Sequence, residues 1–599
     1  MKWTKYLVAV ATTALMLVGC GGDDSPTPDG SLPDGSLPDG SLPDATPDGG
    51  DGGGIPVLTP EEYASAQQIY FDRCAGCHGL LRAGATGPEL SPAIMQALGT
   101  TVLEAMLTNG TSGGMPAFGA DGILTAEEIR ILAIYLLLDP PQPPPREMPA
   151  IMDSWNEIVR VADRPTAPET TRNWRNFMGV ILRDAGQVAI VDGDTFEMVA
   201  VLDTGYAVHI LRSSATGRYF YSVGRDGRVT MIDLWPATPV TVAEVQGCSD
   251  ARSVDSSKFD DGMGTYDDRY LIEGCYWPAQ YVVFNGLTLE PLARVDVPLV
   301  TIDGETLEEV RVAAIVSSHN SPTWVMNLKE TGYVAIVDYS MPGFPITSEI
   351  ATATALHDGG WDSTGNFFMT AANASETMVI VDTTDNTLEA MFRTGARPHP
   401  GRGANWTHPQ FGLVNATTHI GAGLMSIYTA DPTEAAGQAW PAGWVVPCPD
   451  TAAADGSCPA DPAPPATSGP WQVVQERRDI PVGGLFIKTH PLSDHVWMDA
   501  TLNSDAATSR EVCVYTISDP TADLTCWSVA DHGRAVHFEY SEDGSEVWVS
   551  VWDTQGELVI YNDADLSEAG RITNDGTSNT WLVTPTGKFG VNNTALDIY

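Results

Sequence analysis

The sequence predicts a small all-α domain followed by an all-β propeller of eight blades. Three observations predict it. Two capped helix starts, at Thr59 and Thr125, bracket a stretch of helix-forming sequence. A proline-rich segment at 139–145 ends that texture. From about residue 165 onward, short β-branched runs ending in Asp, Asn or Gly turns recur, with eight related units mostly 41 to 53 residues apart, a repeat of the length of a propeller blade.

Residues 1–20 read as an export signal. Lys2 and Lys5 precede an apolar run at 6–18, shorter than the ~20 residues a membrane span needs. The run ends in Leu17-Val18-Gly19-Cys20, a lipobox-like sequence that would leave Cys20 as a lipidated N-terminus. Residues 21–54 form an acidic low-complexity tether. It repeats Ser-Leu-Pro-Asp-Gly from Ser31 and carries eight Asp but no Lys or Arg, so it lacks the apolar surface to fold and its like charges extend it.

Residues 55–140 form the helical domain. Thr59-Pro60-Glu61-Glu62 and Thr125-Ala126-Glu127-Glu128 are capping-box starts. The second opens a helix through Leu138, with Ile129, Leu132, Ala133 and Leu136 on one apolar face. Between them, Cys74-Ala75-Gly76-Cys77-His78 carries two thiols and an adjacent imidazole at the spacing of covalent c-type haem attachment. Cys74 and Cys77 would form the thioethers and His78 would ligate the iron. A zinc site would need a second ligand pair, and none occurs before residue 140. Met115, in the glycine-flanked Gly114-Met115-Pro116, is the expected opposite ligand; Met106 competes but lies in helix-like sequence. The domain is therefore an all-α cytochrome c domain. Residues 141–164 form a linker.

The propeller spans 165–599. Its eight related units are 188–192, 229–233, 281–285, 334–338, 378–382, 425–429, 513–517 and 558–562. The wide gap between the sixth and seventh is expected to hold an inserted loop, with Cys448 and Cys458 able to staple it. With Cys20, Cys74 and Cys77 assigned, six of nine cysteines remain, in three close pairs: Cys248 and Cys275, Cys448 and Cys458, Cys513 and Cys526. In an oxidising compartment such neighbours form disulfides, although sequence alone leaves the connectivity open.

The chain has 77 acidic and 31 basic residues, a formal net charge of −46. Such a surface repels nucleic acid phosphates and suits a basic soluble partner. The eleven histidines make no local metal motif. From the residues alone, the reading stops at a cytochrome joined to a propeller.

Several long stretches carry more. They include Asp203-Thr204-Gly205-Tyr206-Ala207-Val208-His209, Leu356-His357-Asp358-Gly359-Gly360-Trp361-Asp362 and Pro398-His399-Pro400-Gly401-Arg402-Gly403-Ala404-Asn405. Others lie at 182–187, 485–491 and 584–589. On these, the chain from about Ala150 to Tyr599 resembles the cytochrome cd1 nitrite reductases almost end to end. The resemblance implies an eight-bladed propeller holding a non-covalent haem d1 beside the covalent haem c, with His209 as proximal iron ligand. It implies that Arg183, Arg212, Arg225, Arg252, Tyr276, Arg402 and Phe486 line the haem d1 pocket, guanidinium forks meeting the macrocycle's carboxylates. It places His319 and His357 on the open iron face as the catalytic pair, with imidazoles that titrate near neutrality and donate protons to nitrite.

The implied reaction is one-electron reduction of nitrite to nitric oxide and water, in a periplasmic, lipid-anchored homodimer. A small cytochrome c or a cupredoxin would supply electrons. The chain departs from the family in its acidic tether, in His537 where relatives carry Gln, and in the pairs Cys248/Cys275 and Cys513/Cys526, which would join neighbouring strands of one blade. A haem d1 biosynthesis dehydrogenase of the same layout, or a tethered electron or haem d1 carrier, is the alternative. Retention of both His319 and His357 favours the reductase.

Overall fold

The computed structural model describes residues 56–84, 87–111, 115–120, 122–143, 145–430, 468–553, 556–573 and 591–593. Cys20, the tether, Gly114, Cys448, Cys458 and the 584–589 motif lie outside them, as do the side chains of 400–402 and 591–593. The chain falls into two compact units, one ending at Gly76 and resuming at Glu89–Pro140, the other made of Cys77–Pro88 and everything from Pro141 onward.

The first unit is helical: α1 (Pro60–Arg73), the start of α2 (Ala75–His78), α3 (Pro92–Asn109) and α4 (Ala126–Leu136). Both expected capping boxes form. Thr59 Oγ1 accepts from the Glu62 N–H at 3.1 Å and the Thr59 N–H donates to Glu62 Oε2 at 2.7 Å, with the same reciprocal pair between Thr125 and Glu128. Arg130 ties α4 to α1 through Glu62. Helix α4 ends two residues before Leu138 and is buried on more than one face: Ile131, Ile134 and Tyr135 are enclosed along with the expected Ile129, Leu132, Ala133 and Leu136. No helix among the described residues is long and apolar enough to cross a membrane.

The second unit is a propeller of eight antiparallel sheets. Blade 1 contains Phe177–Leu182, Gln187–Asp192 and Met198–Asp203. Its inner edge is completed by Val591–Asn593, which pairs Met178 with Asn593 and Val180 with Val591. Blades 2 to 8 begin with the inner strands Ile210–Ser213, Asp250–Ser256, Val312–Ser317, Leu356–Trp361, Pro398–His408, Ile487–Lys488 and Arg534–Tyr540.

Every recurring sequence unit is the third strand of its blade. These strands are buried along most of their length, which is why they read as continuous β-branched runs. The gap between the sixth and seventh units falls between the third and fourth strands of blade 6, Met425–Thr429 and Val473–Arg477.

The expected linker is partly structured. Helix α5 (Met148–Ser154) buries Ile151 in the propeller core, and Asn156–Glu157 adds a strand to the outer edge of blade 2. Trp155 Nε1 donates to the Thr288 carbonyl at 2.8 Å. Two disulfides form among the described residues. Cys513–Cys526 joins directly opposed residues of neighbouring strands in blade 7, as expected. Cys248–Cys275 instead ties the connection entering blade 3 to that blade's second strand.

Candidate active site at the centre of the propeller

The inner strands enclose a cavity with about 1250 Å³ of empty space, counted to its open mouth. Its wall takes Ile181 from blade 1 and residues from the beginning of every other blade, among them His209, Arg212, Arg252, Asp358, His399, Phe486, Lys488, His537 and Glu539. Residues far apart in sequence meet here because a propeller turns the start of each blade toward its axis.

His209 stands on the turn into blade 2. Ala207 just before it has φ +47°, in the left-handed region, and the His209 N–H donates to the Val223 carbonyl at 3.0 Å. Arg212 and Arg252 follow on the inner strands of blades 2 and 3. Arg212 Nε is buried without a hydrogen-bond partner among the described residues, a cost unless an anionic or carbonyl group from outside the chain meets it. Lys488 pairs with Glu539 at 3.4 Å.

Five inner strands lose regular pairing where they meet the cavity, those of blades 3 and 4 at Arg252 and Ala313 and those of blades 5, 6 and 8 at the histidines. In the last three, the register shifts between Leu356 and Gly359, between His399 and Ala404, and between Val536 and Phe538, where His537 has φ +63°. Bulges re-aim side chains, and these three fall on His357 and Asp358, just after His399, and on His537. The carbonyls of the blade 5 bulge are held: Asn327 Nδ2 donates to His357 O at 2.6 Å and Thr370 Oγ1 donates to Asp358 O at 3.0 Å.

The imidazoles form a linked group. His357 Nδ1 lies 3.1 Å from Asp358 Oδ1, and His399 Nε2 lies 3.7 Å from Asp358 Oδ2. The rings of His357 and His399 are 5.1 Å apart, His399 and Phe486 5.9 Å, and Phe486 and His537 4.6 Å. Burial pushes His357 down to about 3, against the opposing pull of Asp358. It is therefore a neutral ring at neutral pH, well below the ordinary value assumed from sequence. Burial alone would raise Asp358, but His357, His399 and Arg252 hold it well below the usual carboxylate range. Asp499, beneath the wall, accepts from the N–H groups of Leu485, Phe486 and His537 at 2.7, 3.1 and 3.3 Å; its burial still raises it to about 6.

The other expected residues stand as follows. His319 lies two residues beyond the inner strand of blade 4, exposed and outside the cavity lining; burial of its ring and the nearby Lys258 lower its pKa. Arg225 makes a buried two-pronged pair with Asp250, at 2.5 and 2.6 Å. Arg183 pairs with Asp184. Tyr276 is buried under the Arg311 guanidinium, 5.2 Å from its ring, and its hydroxyl has no partner among the described residues. Arg402 lies on the inner strand of blade 6, its side chain outside the described set. His399 and Asp358 stand in the stretches that carry the family resemblance, but the sequence assigns them no role, because nothing local links two residues 41 positions apart.

The haem-attachment motif crosses the unit boundary. Cys74 is buried, Cys77 is exposed, and both are free thiols. His78 Nδ1 lies 2.8 Å from the Pro88 carbonyl. A carbonyl only accepts, so Nδ1 carries the proton and the Nε2 lone pair is left for a metal. Gly87 makes room for the ring: a Cβ there would stand 2.7 Å from His78 Cε1. In the second unit, the N–H groups of Leu80 and Leu81 donate to the Glu309 carboxylate at 2.9 and 3.0 Å. In the first, the Thr111 N–H donates to the Met115 carbonyl at 3.1 Å in the loop after α3. The two thiols and the tautomer-fixed imidazole of the Cys74–His78 segment fit haem c. The roomy cavity with His209 and the unpaired Arg212 Nε fits haem d1.

The comparisons agree with this geometry. The family model of the cytochrome D1 heme domain matches residues 172–443 and 460–594, and that of cytochrome c oxidase, cbb3-type, subunit III matches 61–136. The chain is 43% identical to a nitrite reductase of Stutzerimonas stutzeri over 569 residues, 91% of this chain and 95% of that protein. It is 25% identical to a dihydro-heme d1 dehydrogenase of Pseudomonas aeruginosa over 90% of this chain and 96% of that one. The solved structure of the dihydro-heme d1 dehydrogenase NirN has the same fold, with a TM-score of 0.62, 23% identity and coverage of 89% of this chain and 100% of its own. With a cytochrome c domain ahead of a matching eight-bladed propeller, this chain belongs to the cytochrome D1 heme domain family.

Proposed function

We propose that the protein is a nitrite reductase that forms nitric oxide and water from nitrite, one electron and two protons, in the periplasm. The observation that carries this reading is the convergence of His209, Arg212, Arg252, Asp358 and His399 on one cavity, with His357 beside Asp358. The 43% identity to a nitrite reductase, against 25% to a dihydro-heme d1 dehydrogenase over similar coverage, favours nitrite over a haem precursor as substrate.

When bound, haem d1 supplies the iron that holds nitrite and hands it an electron relayed from haem c. The chain supplies the rest. His78 and Met115 would hold the haem c iron and His209 the haem d1 iron. Arg212 and Arg252 would meet the carboxylates of haem d1 with forked hydrogen bonds, joined by Arg183, Tyr276, Arg402 and Phe486 as the resemblance implies, while Arg225 is committed to Asp250. Breaking the N–O bond requires protons at the leaving oxygen, a role for buried His357 beside Asp358, whereas His319 is exposed and outside the cavity lining. The Nδ1 of a neutral His357 faces Asp358 Oδ1 at 3.1 Å, and the ring must take up a second proton before it can act as an acid, so proton supply is a controlling feature of this site.

Replacing His357 by Ala should leave both haems bound and lower nitrite turnover by roughly 10²–10⁴, whereas H319A should change it little. Wild-type holoprotein that forms no nitric oxide from nitrite would overturn the reading.

The lipobox-like Cys20, the export signal and the disulfides support a lipid-anchored periplasmic protein. The acidic surface supports a basic donor such as a small cytochrome c, with a cupredoxin as the other class. A homodimer is proposed from the family alone.

A further inference from the structure

Three side chains able to ligate a metal meet at the cavity. One ligand atom from each of His357, Asp358 and His399 lies within 4.8 Å of the other two. His399 Nδ1 lies 2.5 Å from the Leu485 carbonyl oxygen, which only accepts. A neutral ring therefore carries its proton on Nδ1 and turns the Nε2 lone pair toward Asp358 Oδ2, 3.7 Å away. His357 Nδ1 is buried with no hydrogen bond among the described residues, although Asp358 Oδ1 stands 3.1 Å from it. Two imidazole nitrogens thus face one carboxylate, an arrangement that a cation seated among the three would satisfy.

We propose that His357, Asp358 and His399 form a two-histidine, one-carboxylate site for a divalent transition-metal ion of the zinc class, in addition to the two haem irons. Atoms bound at ~2.1 Å to a tetrahedral ion stand ~3.4 Å apart. The two contacts to Asp358, 3.1 and 3.7 Å, bracket that separation. Small side-chain rotations complete the site. At neutral pH the burial of His357 keeps it neutral and its neighbours keep Asp358 ionised, so the ion displaces no proton from either. The Leu485 carbonyl orients His399 as an outer-shell acceptor orients a metal-bound imidazole. Three protein ligands leave a position open for water or a small anion.

The surrounding charges select the kind of ion. Arg252 of blade 3 acts on the His357–Asp358 pair, and Lys329 of blade 4 acts on His357. Both oppose a cation held by charge alone, as magnesium and calcium are. Imidazole nitrogen offers coordinate bonding that those hard ions do not favour and that zinc, nickel and copper do. The chain's net charge of −46 and the open mouth of the cavity favour the arrival of a cation. An ion held here would engage His357 and Asp358 and so would inhibit the turnover proposed above. Its binding does not depend on that turnover.

The test is equilibrium dialysis of the holoprotein against Zn²⁺, with bound zinc counted by mass spectrometry. Excess Mg²⁺ occupies carboxylate-only sites on the acidic surface. We expect the wild type to retain one more zinc per chain than H399N or D358N, or to hold it at least about tenfold more tightly. H399N keeps an amide N–H for the Leu485 carbonyl, D358N keeps the shape of the carboxylate, and haem content with circular dichroism reports their folding. In the wild type, zinc-edge X-ray absorption should show scattering from two imidazoles. Zinc held equally by all three proteins, no zinc held by the wild type, or wild-type zinc surrounded by oxygen alone would overturn the proposal. The zinc count uses no nitrite, so a wild-type protein that makes no nitric oxide defeats the functional reading and leaves this result standing.

Discussion

Asn327 Nδ2 donates to the His357 carbonyl oxygen at 2.6 Å and to Thr370 Oγ1 at 2.7 Å, pinning the bulge on which His357 and Asp358 sit. Asn327 is fully buried on the neighbouring blade. N327A would leave the His357 carbonyl without its donor, at a cost of about 1–3 kcal/mol. We expect a lower melting temperature together with slower nitrite turnover at unchanged haem content. Full turnover in a destabilised N327A would mean that His357 needs no such support.

Arg212 and Arg225 should separate cleanly. Arg212 has an unpaired Nε on the cavity wall, whereas Arg225 is committed to Asp250. R212A should weaken haem d1 retention, read by absorbance after dialysis, with little change in stability. R225A leaves Asp250 buried and unpaired and should lose about 3–5 kcal/mol in chemical denaturation. Equal effects of the two substitutions on haem d1 retention would place Arg225 in the pocket after all.

Asp499 makes stability depend on pH. Its folded value, about 6, stands above the ordinary 3.8. The folded state therefore binds the proton more tightly. This contribution is complete below pH 4 and is lost as pH rises through 6, by about 3 kcal/mol. D499N should flatten that interval of the stability curve. A wild-type curve already flat between pH 4 and 6, once other carboxylates are matched through the variant, would contradict the assignment.

At the N-terminus, C20S should release the protein from the membrane fraction while leaving nitrite turnover by the released protein intact. With a basic donor cytochrome, the electron-transfer rate should fall steeply as salt is raised, because charges beyond ~10 Å are screened at 0.1 M. A rate insensitive to salt would point to an uncharged docking surface.

The blade count was legible because third strands such as Tyr333–Asp338 and Thr377–Asp382 are walled in on both faces and must be apolar throughout. The helix starts were legible because their capping chemistry is local. The cavity was not. Its bulges at His357, after His399 and at His537 break the alternation that identifies a strand. Its groupings join residues from different blades. Arg225 shows the same limit, since a guanidinium in a sequence does not reveal that Asp250, 25 residues on, already occupies it. Helix α5 was hidden in proline-rich sequence, where Pro149 starts a helix as readily as it ends one.

The pairing of Val591–Asn593 with Phe177–Leu182 has a consequence for biogenesis. Until residues 591–593 join it, the first blade is one strand short and the ring has an open seam there. Afterwards the cavity wall is continuous. A chain cut short by a dozen residues would carry every cavity residue named above and still be unable to shut around its cofactor.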